Sequence, residues 1–121
     1  MSGEESRVTV ESSVGVFVLR INEATMFSQE TCEETQNLMC AIVDQLNKPK
    51  VVVDMSRVNE VGSHFFGTLV MVRKAVEARG GVMALAQLTE FVKTSYRVAG
   101  LHKTLKAFET VPIAVNTLRE S

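Results

Sequence analysis

Few side chains in this sequence could do covalent or acid–base chemistry, and their spacing narrows the choice. The cysteines are Cys32 and Cys40 and the histidines His64 and His102. Eight positions on one helix separate the thiols by about 12 Å along its axis, beyond the reach of a disulfide. With no CxxC pair and only these imidazoles, the usual zinc spacing is missing. Both cysteines are therefore expected as buried or half-buried free thiols. Glu33 and Glu34, like Asp54 and Glu60, are carboxylate neighbours without a histidine or serine nucleophile at a telling spacing. No GxGxxG or Walker-type loop is present, and Gly80-Gly81 reads as a helix stop. The expectation is a protein with no enzymatic activity, no metal and no cofactor.

Ser63 is the residue with a distinct chemical option. It stands just ahead of an apolar stripe at helical spacing, where an N-cap belongs, and a capping serine accepts a bond from a backbone N–H. A phosphate there would meet unpaired N–H groups and the positive end of the helix dipole. Its charge of about −1.5 to −2 would be tolerated by the helix and would repel an acidic or close-fitting partner. Ser63 is thus either a plain cap or a switch. His64 either supplies positive charge beside such a phosphate or is solvated in the first turn. Phe65 continues the stripe to Leu69, whereas Phe66 is either a partly exposed partner contact or packed under a neighbouring loop.

The elements that must position these residues follow from hydrophobic periodicity. Thr9 to Ile21 reads as two short strands broken near Ser12-Ser13, with Gly15 permitting a turn or bulge. Val14, Val16, Val18 and Arg20 face one way, and Phe17, Leu19 and Ile21 the other. Asn22 to Gln29 is polar and turn-like. Cys32, Thr35, Met39, Ile42, Val43 and Leu46 form the stripe of helix one, capped by Ser28 or Thr31 and ended by Lys48-Pro49. The run Val51-Val52-Val53, closed by Asp54, suits a strand covered on both faces. Phe65, Leu69, Val72 and Val76 carry the second helix. Val82 to Ala86 is another buried strand, and Thr89 caps a third helix with Phe91, Val92, Ser95, Val98 and Ala99 on its stripe. Leu105 to Phe108 is a short strand. Pro112 to Leu118 is a final helix in which Ile113, Ala114 and Leu118 pack. Met39, Met55, Met71 and Met83 read as gap-fillers in apolar segments. The order β-β-α-β-α-β-α-β-α predicts a single α/β domain with a mainly parallel sheet packed with helices.

Composition agrees with one domain. The chain has 121 residues, 45% of them hydrophobic and 22% charged, with a formal net charge of −1. That length buries a core without staples, and the interspersed charges leave no basic face for a phosphate backbone. Nucleic acid is not expected as a partner. No apolar run approaches the ~20 residues that span a bilayer, so membrane insertion is not expected either. The acidic, polar start gives no targeting segment, and the chain reads as cytoplasmic. Residues 1–6 are expected as a disordered tail and 7–121 as the domain.

The stretch Lys50 to Gly81, KVVVDMSRVNEVGSHFFGTLVMVRKAVEARGG, resembles the central signature of the STAS family, in the stand-alone bacterial form that antagonises anti-sigma factors. Asp54, Ser56, Val58 and Val61 fit its strand end and loop. Ser63 fits the serine that antagonists have phosphorylated, and Gly67 and Leu69 fit the following helix. Val98-Ala99-Gly100-Leu101 fits the approach to the last strand. Gly62 stands where the family usually has Asp, His64 where it has a small polar residue and Phe65 where it has Gly. The resemblance implies a STAS fold and a partner-switching role in transcription regulation. It implies binding to a serine-kinase anti-sigma factor, with phospho-Ser63 as the off state, a phosphatase as a further partner and a weak homodimer. The contact surface implied is Gly62, His64, Phe65 and Phe66, with Asn22, Thr25 and Ser28 from the nearby loop. The alternative is a non-phosphorylated STAS scaffold, a subunit of a stressosome or lipid-transport assembly, whose box no kinase reads.

Overall fold

In the computed structural model, which describes residues 6–121, Val8–Ser13 (β1) and Val16–Ile21 (β2) pair as an antiparallel hairpin. The break falls at Val14-Gly15 rather than at Ser12-Ser13, which remain in β1. Both turn residues have positive φ, 45° and 84°, the two-residue geometry whose twist matches the flanking strands. Gly15 adopts it freely. Val14 does so against the preference of a branched side chain, and it leaves the strand face expected for it to stand 60% exposed at the tip.

Beyond the hairpin come Thr25–Met26 (β3), Gln29–Val43 (α1), Lys50–Asp54 (β4), Glu60–Val61 (β5), Ser63–Ala78 (α2), Val82–Ala86 (β6) and Glu90–Val98 (α3). A 3₁₀ turn at Leu101–Lys103, Ala107–Phe108 (β7) and Val111–Arg119 (α4) complete the chain. The main sheet has the order β1-β2-β4-β6-β7, with every pairing after the first hairpin parallel. Each crossover steps one strand in the same direction, so right-handed connections put α1, α2 and α3 on one face. Their buried residues, including Cys32, Met39, Phe65, Leu69, Val92 and Tyr96, meet Leu19, Ile21, Val51 and Val53 there. On the opposite face α4 brings Ala114, Val115 and Leu118 onto Val16, Val18, Val52 and Ala84. Val51, Val52 and Val53 are fully buried, and β4 is covered on both faces as its unbroken apolar run predicts.

Several boundaries and faces differ from the sequence expectation. Helix α1 stops at Val43, because Gln45 N–H and Leu46 N–H bond three residues back to Ile42 and Val43 and tighten the last turn. On α3 the buried residues are Val92 and Tyr96, while Phe91, Val98 and Ala99 face outward. Tyr96 can be buried because its hydroxyl donates to the Leu105 carbonyl. On α4, Val115 packs in place of Ile113, which is 49% exposed, and Met71 is likewise exposed rather than a core filler. The helix stop at Gly80-Gly81 is as expected, and Gly81 has a packing reason: a Cβ there would fall 2.1 Å from the Pro49 carbonyl oxygen. The expected tail, residues 1–6, lies outside the described residues apart from Ser6, whose carbonyl accepts from Asn22 Nδ2 at 3.0 Å.

Candidate partner-binding site at the start of the second helix

Two strands too short to show periodicity in the sequence assemble this region. β3 and β5 pair in parallel, Thr25 with Glu60 and Met26 with Val61. The Ala24 carbonyl accepts from Asn59 N–H at 2.8 Å and Glu60 N–H at 3.2 Å, and the Met26 carbonyl from Gly62 N–H at 3.0 Å. Met26 and Val61 are buried beneath this ladder. It ties the segment before α1 to the segment before α2, so Thr25 and Ser28 share one end of the domain with Gly62 and Ser63.

The N-cap of α2 is Gly62, with extended backbone, and Ser63 is the first helical residue. This corrects the expectation that Ser63 caps the helix. The glycine supplies the extended conformation while the serine has already turned into the helix, so its hydroxyl is carried outward. Ser63 is exposed, and no side chain caps this helix nor does its first turn hold an acidic residue. Among the described residues Ser63 Oγ has no hydrogen-bond partner.

Around it, His64 is exposed, Phe65 is fully buried and Phe66 is half-buried against the core. The rings of Phe65 and Phe66 are 6.0 Å apart and tilted. Phe66 therefore takes the packed option with part of its ring still accessible. His64 borders a groove of about 250 Å³ between α1 and α2, together with Gln29, Glu33, Gln36, Thr68 and Met71. Thr25 and Ser28 are exposed, and Ser28 is the cap of α1, accepting from Thr31 N–H at 3.0 Å.

Asn22 is placed differently. Its amide donates to the Ser6 carbonyl and Thr9 Oγ1, and its oxygen accepts from Arg20 Nε at 3.0 Å and Arg57 Nη1 at 3.2 Å. That is the satisfied environment of a residue holding the loop in place. Asp54 also acts locally, accepting from Ser56 N–H at 2.9 Å to start the turn after β4.

Phe27 is the residue the sequence reading passed over. It is 50% exposed, and a Cβ on Gly62 would stand 3.3 Å from its Cδ1 and 3.5 Å from its Cα and carbonyl oxygen. The ring thus lies where a larger residue at position 62 would project. A lone aromatic in the polar loop Asn22 to Gln29, opposite a glycine in the box, was the available signal.

The cysteines offer no reactive thiolate. Burial pushes the Cys32 thiol above its ordinary pKa, with the Thr68 hydroxyl acting the other way, and burial with the nearby Asp44 charge raises Cys40. Both are free thiols, Cys32 buried and Cys40 half-buried. Among the described residues no cluster of His, Cys, Asp or Glu could hold a metal ion, and no helix is long and apolar enough to cross a membrane.

Comparison with known proteins concerns the domain as a whole. No curated protein sequence matches the chain. The chain is similar to the solved anti-sigma-factor antagonist (STAS) domain protein from Planctomyces limnophilus, with 19% identity and a TM-score of 0.81 over 94% of this chain and 98% of that one. It is similar to SpoIIAA, a Bacillus cell fate determinant solved in its phosphorylated form, with 14% identity and a TM-score of 0.64 over 91% and 97%. A sulfate transporter family protein from Wolinella succinogenes matches with 15% identity and a TM-score of 0.72 over 89% and 88%. These likenesses concern the fold. The family model of the STAS domain matches residues 7–114, and the chain belongs to the STAS domain family.

Proposed function

We propose that this domain is a protein-interaction regulator of the anti-sigma factor antagonist type, which docks on a serine-kinase anti-sigma factor and is released from it by phosphorylation of Ser63. The observation that carries this reading is the start of α2: an exposed serine in the first turn, uncapped by any side chain and free of neighbouring acid. A phosphate on that hydroxyl gains from the helix dipole and the unpaired N–H groups, so the domain stays folded in both states while its surface charge changes. His64, on the next position, is exposed beside it. The docking surface comprises Gly62, Ser63, His64 and the accessible part of Phe66, with Thr25, Phe27 and Ser28 across the β3–β5 ladder. Asn22 holds that loop in place.

A second reading has its own observation. Phe27 packs where a side chain at position 62 would project, which takes the space of the Asp usual in the family and suits a scaffold that no kinase reads. A stressosome or lipid-transport subunit would have this character.

Affinity capture of the tagged protein from its native lysate, followed by mass spectrometry, separates the two. The first reading expects a kinase-like ATPase in the captured fraction and phosphate on Ser63. Capture of transporter or large scaffold subunits, with Ser63 unmodified throughout, would overturn it in favour of the second.

A further inference from the structure

The two edges of the main sheet are unequal. β7 at one edge is two residues long, a short edge of the kind that resists pairing with other chains. β1 at the other is six residues, VTVESS, with no proline, no lysine and no bulge in its register with β2. Asn22 N–H bonds to the Arg7 carbonyl at 2.8 Å, which fixes the alternation of the antiparallel ladder. Thr9, Glu11 and Ser13 then direct their main-chain groups toward β2, and Val8, Val10 and Ser12 direct theirs outward. Among the described residues the outward groups have one partner, Ser6 Oγ, which accepts from Val8 N–H at 3.3 Å.

We infer that β1 is a self-association edge, pairing antiparallel with β1 of a second copy about a two-fold axis at Val10. The occupant is a second copy because the strand's own pattern selects it. Centred on Val10, the register sets Val10 against its copy and Val8 against Ser12, and all three are outward-directed residues, so each pair exchanges two main-chain bonds. The same register sets Glu11 of the second copy beside Thr9. Thr9 is the cross-strand neighbour of Arg20, so Glu11 of the second copy, Thr9 and Arg20 form one row on one face, with Glu11 and Arg20 about 10 Å apart at the backbone. Long side chains span that distance. Neither Glu11 nor Arg20 has an ion-pair partner among the described residues, and the two-fold would satisfy both of them twice. On the other face Val10, 43% exposed, meets its copy. Self-association at β1 leaves the start of α2 free, so it is independent of the reading above.

Sedimentation velocity of the full chain from about 10 μM to 1 mM tests this, a range suited to a weak interface. A monomer–dimer equilibrium is expected. Val10→Pro removes an outward donor without touching the β1–β2 ladder and should leave a monomer at every concentration. Should that variant fail to fold, charge reversal decides: Glu11→Lys should weaken the dimer by about tenfold or more, and Glu11→Lys with Arg20→Glu should restore it. A wild-type chain that stays monomeric at the highest concentration would overturn the inference, as would a dimer indifferent to Val10→Pro or to the charge reversal.

Discussion

The two helix starts at one end of this domain face the same problem and treat it differently. Both α1 and α2 begin just after members of the β3–β5 ladder, and each presents unpaired N–H groups and the positive end of a dipole. At α1 the sequence closes the end: Ser28 accepts from Thr31 N–H, and Glu30 lies in the first turn. At α2 no side chain closes it. Gly62 has no side chain to cap with, the first turn carries no acid, and the Ser63 hydroxyl points into solvent. Stability alone would favour closing both ends. The lesson is that α2 forgoes local stabilisation at the place where a docking partner or a phosphate could supply it.

The largest expected effect comes from breaking the scaffold that holds both ends in register. Val52→Asp puts a carboxylate under α4, between β2 and β6, with no partner. It should cost about 4 kcal/mol or more and abolish cooperative unfolding by circular dichroism. A variant with an unchanged melting curve would remove β4 from the core. The direct comparison of the two starts is next. Ser28→Ala should cost about 1 kcal/mol in urea denaturation, because it uncaps α1, whereas Ser63→Ala should cost less than about 0.5 kcal/mol, because Ser63 caps nothing. Equal costs would mean that the two ends are alike after all.

A smaller effect concerns the buried face of α1. Thr35 is fully buried and its Oγ1 has no hydrogen-bond partner among the described residues. Thr35→Val keeps the shape, removes the stranded hydroxyl and should leave stability unchanged or raise it by about 1 kcal/mol; a clear loss would point to a bonded hydroxyl. The smallest expected effect is alkaline. Burial raises the pKa of Cys32 and Cys40, so above the ordinary thiol value of 9.0 the unfolded chain releases protons that the folded chain retains. Their contribution is present in full below that value and is lost as pH rises through the raised one. Denaturation midpoints should therefore fall above pH 9.0, and fall less in Cys32→Ala with Cys40→Ala.

Much of the fold was legible because burial on two sides leaves a plain pattern. Val51-Val52-Val53 could only be a covered strand, and Phe65, Leu69, Val72 and Val76 could only be one helix face. What could not be read were features too short or too evenly balanced to have a pattern. A two-residue strand such as Thr25–Met26 has no periodicity, so the ladder that brings Thr25 and Ser28 to Gly62 was invisible. On α3, Phe91 with Val98 and Val92 with Tyr96 are rival stripes one position apart, and the choice fell to a bond from Tyr96 to the Leu105 carbonyl beyond the end of the helix. At the site the serine was legible as a residue at a helix start, but the one-residue shift that makes Gly62 the cap depends on backbone dihedrals. Phe27 was hidden by its polar neighbours.

The central claim is that the open start of α2 is a switchable contact, and one titration tests it most directly. Calorimetry of the captured partner against wild type, Ser63→Ala and Ser63→Asp should show Ser63→Ala within about threefold of wild type and Ser63→Asp weaker by about tenfold or more. The aspartate should at the same time leave α2 as stable or slightly more so, since an acid in the first turn favours the helix, which separates lost binding from lost folding. Equal affinity for all three proteins would contradict the account.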